Sequence, residues 1–308
     1  MATVENPTGT GSRRTDHCPE NQPLLQMQGS TEKLDQKPAI TLYLPHIILI
    51  ITAFQLLMSP SYAAKSDEFK KGLFVLNGDT LPYRILFPAH YDPARRYPLV
   101  LVLHGSGERG SDNEKQLTHG SSLFLADSNR TDYPAIVVFP QCRKGGYWSN
   151  VYIENDTGKG KKRIFHFKPD SLPTREMAML MAFADWLPGA YKIRKKESYV
   201  VGLSMGGMGT LEIIRRLPGR FKRAIAICGG AHPAAAAGMK KTKIWLTHGL
   251  KDNIVPAEFS IRMAEALKQQ KVKVELTLFP EANHNAWDPT FQLPNLLPWL
   301  FGKTTLIH

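Results

Sequence analysis

Three residues of the types that build an activated hydroxyl nucleophile, Ser204, Asp252 and His284, follow one another in that order along a chain of 308 residues. Ser204 lies in Gly202-Leu203-Ser204-Met205-Gly206. Small residues on either side of a serine allow the sharp, strained strand-to-helix turn that exposes the hydroxyl, the nucleophile elbow. Taken alone the pattern is weak, because a glycine-rich turn carrying a surface serine reads the same way. A serine used as a nucleophile also needs a base, and the base an orienting acid.

Between Ser204 and His284 the sole aspartate is Asp252, in His248-Gly249-Leu250-Lys251-Asp252-Asn253-Ile254-Val255-Pro256. His284 stands in Asn283-His284-Asn285-Ala286-Trp287. Each of the three follows an apolar run that reads as a buried strand, so all three fall at the carboxyl ends of strands, the edge where open α/β sheets bind ligands. Asp252 also reads as a helix cap and His284 as an ordinary loop histidine. His232 and His248 lie near the same edge, and His248, preceding the acid, is expected to be structural. Acyl chemistry further requires donors for a developing oxyanion. The candidates are the Met205 N–H and the Ser106 N–H, in the loop His104-Gly105-Ser106-Gly107-Glu108-Arg109-Gly110. Gly105, Trp148 and Trp287 are candidates to line the substrate site, although either tryptophan reads equally well as core.

These residues need a scaffold, and the apolar pattern supplies one. Residues 72–87 read as two strands about an Asn-Gly turn, an antiparallel start. The unbroken apolar runs 98–103 and 135–139, then the strands before Ser204 and over 223–228, 243–247 and 273–279, alternate with helical segments over 174–187, 211–217, 256–270 and 293–301. Continuous apolar strands are buried on both faces, and strand–helix alternation specifies an α/β fold. The expected fold is a mostly parallel central sheet with helices on both faces and an antiparallel N-terminal hairpin. Residues 143–171 form one long irregular stretch, expected to be a functional loop or lid.

Three regions follow. Residues 1–39 are polar and read as an unfolded extension. Residues 40–63 carry the apolar run Ile47–Met58 followed by Ser61 and Ala63, which suits a signal-peptide core cleaved after Ala63, with an uncleaved membrane anchor as the alternative. Residues 66–303 form the catalytic domain, and the protein is expected to be exported, to the periplasm or outside the cell. Cys142 and Cys228 allow one disulfide in an oxidising compartment, but Cys228 ends an apolar run and reads as a small buried hydrophobe. Neither has metal-ligand spacing, and the chemistry calls for no metal or organic cofactor. The net charge of +12 is concentrated in Lys159–Arg163 and Lys192–Lys196 with no nucleic-acid module around them, so solvated loops are expected and no nucleic-acid partner. The membrane enters only through the N-terminal segment.

At Leu103–Gly110, Gly202–Gly207, His248-Gly249-x-x-Asp252-x-x-Val255-Pro256 and His284-Asn285-Ala286-Trp287-Asp288 the sequence resembles the α/β-hydrolase superfamily, in particular exported esterases akin to dienelactone hydrolases, phospholipase/carboxylesterases and feruloyl or acetyl-xylan esterases. The resemblance spans about residues 70–303. It implies hydrolysis of a small-molecule or polysaccharide-linked carboxylic ester through an acyl-enzyme on Ser204, with His284 as base and Asp252 as orienting acid. It extends to the catalytic domain of prolyl oligopeptidases, whose propeller domain this chain has no room for. The basic run Lys159–Arg163 suggests acidic, uronate-bearing substrates. A non-catalytic binding protein and an acyltransferase on the same fold are the competing readings.

Overall fold

The computed structural model describes residues 67–155 and 163–303. The extension, the apolar segment and Lys159–Lys162 of the basic run lie outside the described residues, so the readings placed on them stand as expectations.

Strands β1 (Lys70–Leu76) and β2 (Asp79–Leu86) pair antiparallel. Their turn is Asn77-Gly78 with φ of 51° and 81°, the left-handed pair that a two-residue hairpin demands. There follow β3 (Tyr97–Leu103), β4 (Ile136–Pro140), the hairpin β5 (Val151–Asn155) and β6 (Arg163–Phe167), then β7 (Ile193–Leu203), β8 (Arg223–Ile227), β9 (Lys243–Gly249) and β10 (Val274–Phe279). Eight of these form one sheet in the order β1-β2-β4-β3-β7-β8-β9-β10, parallel from β4 to β10 and antiparallel at the β1–β2–β4 end.

Every residue of β3 is buried. Leu99, Leu101 and Leu103 join the apolar cluster on one face, Val100 and Val102 the cluster on the other. Period-two geometry sends alternate side chains to opposite faces, so a strand covered on both sides must be apolar throughout. Each fully buried side chain of this kind contributes about 1.5–3 kcal/mol. The helices that cover the sheet are α1 (Ser121–Leu125), α2 (Asp127–Asp132), α3 (Arg175–Ala190), α4 (Met205–Arg216), α5 (Glu258–Gln269), α6 (Trp287–Phe291) and α7 (Leu296–Phe301). α3 starts at Thr174, whose hydroxyl accepts the Met177 N–H at 3.0 Å.

Two expectations are corrected here. The basic run Lys192–Lys196 is solvated but largely extended, because β7 begins at Ile193 and carries Arg194, Lys195 and Lys196 exposed along its first residues. Its register against β3 shifts between Tyr97 and Leu99, which lets the polar start and the apolar end share one strand. Within 143–171, Val151–Asn155 and Arg163–Phe167 pair as the hairpin β5–β6, so these two segments are not the irregular loop expected of them. No helix among the described residues is long and apolar enough to cross a membrane.

Candidate active site

Ser204 terminates β7 and precedes α4 with φ 53° and ψ −117°, a conformation costing a non-glycine residue about 1–3 kcal/mol. Two glycines make the turn possible. A Cβ on Gly202 would lie 2.1 Å from Gly206 O, and one on Gly206 only 2.0 Å from Leu103 O. The Ser204 N–H donates to Ile227 O at 2.8 Å and its carbonyl accepts from Met208 at 3.0 Å, which fixes the elbow on both sides.

The acid and the histidine come from the loops after β9 and β10, and those loops are laced together by main chain. Leu250 N–H donates to Phe279 O at 2.9 Å and Lys251 N–H to Ala282 O at 3.0 Å. A Cβ on Gly249 would meet Ala282 O and Asn283 O at 2.3 Å, so the approach requires glycine. Asn283 Oδ1 accepts the His284 N–H at 3.0 Å and the Asn253 N–H at 3.3 Å, clipping one loop to the other.

As a result Ser204 Oγ stands 2.9 Å from His284 Nε2, and His284 Nδ1 stands 2.7 Å from Asp252 Oδ2. The Asp252 side chain is fully enclosed and that of His284 is 19% exposed. Asp252 is not the helix cap, because α5 starts beyond it with Ala257 at its N-cap and no side-chain cap. Oδ1 accepts the Ile254 and Val255 N–H groups at 2.9 Å each, a local turn, while Oδ2 faces the histidine. Burial alone would raise its pKa, but the His248 Nε2–H close beside it and hydrogen bonds from His284 and the Val255 N–H outweigh it and hold the carboxyl well below the usual carboxylate range.

His248 is wholly buried, as expected of a structural residue, but it is not remote from the acid. Its Nε2–H donates to Val255 O at 2.9 Å and presents its off-axis side to Asp252 Oδ2 at 3.2 Å, while Nδ1 lies 2.7 Å from Ser260 Oγ. The Cys228 thiol completes a cluster with His248 and Asp252 in which the donor atoms lie within 4.8 Å of one another. The histidine and the carboxylate of that cluster are already engaged in the hydrogen bonds just described. Cys142 and Cys228 are both free and buried, not joined in a disulfide, and burial pushes each thiol up to about 12.

Met205 is the first residue of α4, where an N–H has no partner within the helix. Gly105 approaches Ser204 closely, its would-be Cβ 3.7 Å from Ser204 Cβ, and it leads into the 3₁₀ turn Ser106–Glu108. His104 anchors this loop from below. Its Nδ1–H donates to Gly105 O at 2.6 Å and its Nε2 accepts the Cys142 N–H at 2.9 Å, joining the ends of β3 and β4. Burial lowers its pKa to about 4, so the ring is neutral at pH 7.

The two tryptophans separate. Trp148 is fully buried, edge-on to His104 at 5.6 Å, and a Cβ on Gly209 would lie 2.5 Å from its own Cβ, so it belongs to the core under α4 and does not line the site. Trp287 is half-buried and stands between His284 at 5.5 Å and His119 at 5.1 Å, at the mouth. The hairpin β5–β6, which sequence reasoning missed, packs beside the elbow helix and the acid loop. Phe165 packs with Met208, one turn past Ser204, and with Val255, three residues past Asp252, and both Phe165 and Phe167 meet Phe259 edge-on at 5.5 and 5.3 Å. The available signal was the alternation in Arg163-Ile164-Phe165-His166-Phe167.

Against known proteins, residues 77–290 match the family profile described as "Esterase: Putative esterase". A thermostable esterase shares 30% identity with a TM-score of 0.67 over 77% of this chain, which spans 63% of that protein's length. A ferulic acid esterase from Anaeromyces mucronatus, solved with ferulic acid, is 16% identical over 76% of this chain and 91% of its own, with a TM-score of 0.56. Porphyromonas gingivalis dipeptidyl peptidase 4 is 15% identical over 77% of this chain and 36% of its own, at 0.54. The last two are alike in fold. With the profile spanning more than half of its length, and with a mostly parallel sheet bearing an antiparallel hairpin at one end, the chain belongs to the esterase family of α/β-hydrolases.

Proposed function

We propose that the protein hydrolyses carboxylic esters through an acyl-enzyme on Ser204. The observation that carries this reading is the hydrogen-bonded line from Ser204 Oγ to His284 Nε2 at 2.9 Å and from His284 Nδ1 to Asp252 Oδ2 at 2.7 Å. An Nδ1–H bonded to an ionised Asp252 leaves Nε2 with a lone pair, the tautomer a general base needs. His284 takes the hydroxyl proton as Ser204 Oγ attacks the ester carbonyl. The negative charge moves to the carbonyl oxygen, where the Met205 and Ser106 N–H groups receive it, each worth about 3–4 kcal/mol. As the C–O bond to the alcohol breaks, the imidazolium returns the proton to the leaving oxygen. Water then repeats the sequence and releases the acid.

The expected partner is a small ester, and the chemistry described needs neither metal nor organic cofactor. A fluorophosphonate probe is expected to label the protein once, on Ser204, with labelling abolished in Ser204→Ala. Folded protein that stays unlabelled favours a binding function on the same fold. Cleavage of prolyl peptides in preference to esters favours the peptidase reading, and product transfer to added alcohols the acyltransferase.

A further inference from the structure

Two acids of the loop after β3, Glu108 and Asp112, are treated in opposite ways by the fold. Asp112 is exposed yet saturated with donors: Oδ1 accepts the Glu114 and Lys115 N–H groups and Gln141 Nε2, all at 2.9 Å, and Oδ2 faces the Lys115 ammonium at 3.3 Å. The Glu108 side chain is only 14% exposed, yet its nearest cationic partner among the described residues is His119 Nε2 at 3.8 Å, beyond hydrogen-bond reach. The adjacent Arg109 guanidinium is turned elsewhere, donating to Ser106 O at 2.9 Å and Gly146 O at 3.1 Å.

A carboxylate with a small part of its side chain in solvent and no side-chain donor within hydrogen-bond distance among the described residues keeps its acceptor capacity for a cation brought by the ligand. Its position fits that role. The point where a Cβ on Gly105 would stand is 3.0 Å from Glu108 Oε2 and 3.7 Å from Ser204 Cβ, so the carboxylate and the nucleophile border the same small volume. Trp287, wedged between His119 and His284, continues this wall to the base.

Resting on the ester-hydrolase reading of Ser204, we propose that Glu108 is a specificity-determining residue that faces a positively charged group of the substrate close to the scissile carbonyl. The protein then favours cationic esters over neutral esters of the same shape, and disfavours anionic ones, contrary to what the basic run Lys159–Arg163 suggests.

Two isosteric pairs test this at pH 8: acetylcholine against 3,3-dimethylbutyl acetate for a charge on the alcohol, and the p-nitrophenyl esters of betaine and 3,3-dimethylbutyric acid for a charge on the acyl group. In at least one pair kcat/KM, divided by each ester's own hydroxide-catalysed rate constant, is expected to favour the cation by about tenfold, within the range from a water-exposed to a protein-surface charge pair. That ratio is expected to fall to about one in Glu108→Gln and to persist in Asp112→Asn. In the unaltered protein it should shrink as salt is raised, a readout independent of any variant. A ratio near one in both pairs, or a preference that survives Glu108→Gln, overturns the proposal. Hydrolysis of the neutral esters, lost in Ser204→Ala, is read first: its absence counts against the serine-esterase reading and removes the basis of this one, whereas its presence without charge preference counts against Glu108 alone.

Discussion

The loops carrying Asp252 and His284 and the hairpin β5–β6, packed beside the acid loop, are held by different forces. The two loops are joined by backbone hydrogen bonds, by a glycine that permits contact at main-chain distance, and by the Lys251–Glu281 ion pair. The hairpin forms a two-stranded sheet of its own and meets the body through Phe165, Phe167 and their neighbours. Main-chain constraints fix atoms to the tolerance that proton transfer requires. Aromatic packing fixes a surface and tolerates replacement of its parts. On the proposed function the first kind of contact serves the chemistry and the second the surface beside it.

The most severe way to break this contrast is at the elbow. Gly206→Ala places a methyl 2.0 Å from Leu103 O, a carbonyl at the end of a central strand that cannot retreat. Soluble, cooperatively unfolding protein is expected to be lost, measured by circular dichroism and recovery after expression. Asp252→Asn comes next: the amide no longer holds the required histidine tautomer, and kcat is expected to drop by about 10⁴ with the fold intact. An activity loss below tenfold would detach Asp252 from the chemistry.

At the hairpin the expected effect is smaller and of another kind. Phe165→Ala removes a ring that is 8% exposed and is expected to cost about 3 kcal/mol of local stability. It should raise KM severalfold while kcat for a small acetate ester stays within about a factor of two, as steady-state kinetics would show. An equal fall in kcat would place the hairpin within the catalytic machinery and erase the contrast.

What was legible in the sequence divides along the same line. Gly202, Ser204, Gly206, Gly249, Asp252 and His284 sit at or just past the ends of apolar strands, where local residue type dictates geometry, and their convergence could be anticipated. Trp148 shows the limit. Whether an indole faces a cavity or the underside of α4 depends on how closely the helix approaches, and that is set by Gly209, far along the chain. The hairpin was missed because its apolar residues alternate over five positions only and the strands are separated by a polar stretch. The role of His104 depends on Cys142, on another strand end far along the chain, which no local pattern names.

His104 offers the finest test of the main-chain side. Its pKa is depressed to about 4, so as pH falls below the ordinary histidine value of about 6.5 the unfolded chain takes up a proton that the folded protein refuses. Stability therefore falls between pH 7 and pH 5 by about 2 kcal/mol on this account, a share missing from the pH dependence of His104→Gln. Denaturant melts of the two proteins at both pH values would reveal it, and equal pH dependence would remove His104 as the buried neutral anchor of the loop.

The central claim is that the acyl group passes through Ser204. Mixing p-nitrophenyl acetate with the protein, quenching in acid during the first turnovers and mapping the adduct by mass spectrometry addresses it directly. A burst of p-nitrophenol matched by acetyl on the peptide containing Ser204 is the predicted result; turnover with no acetyl there, or acetyl on another residue, would contradict it.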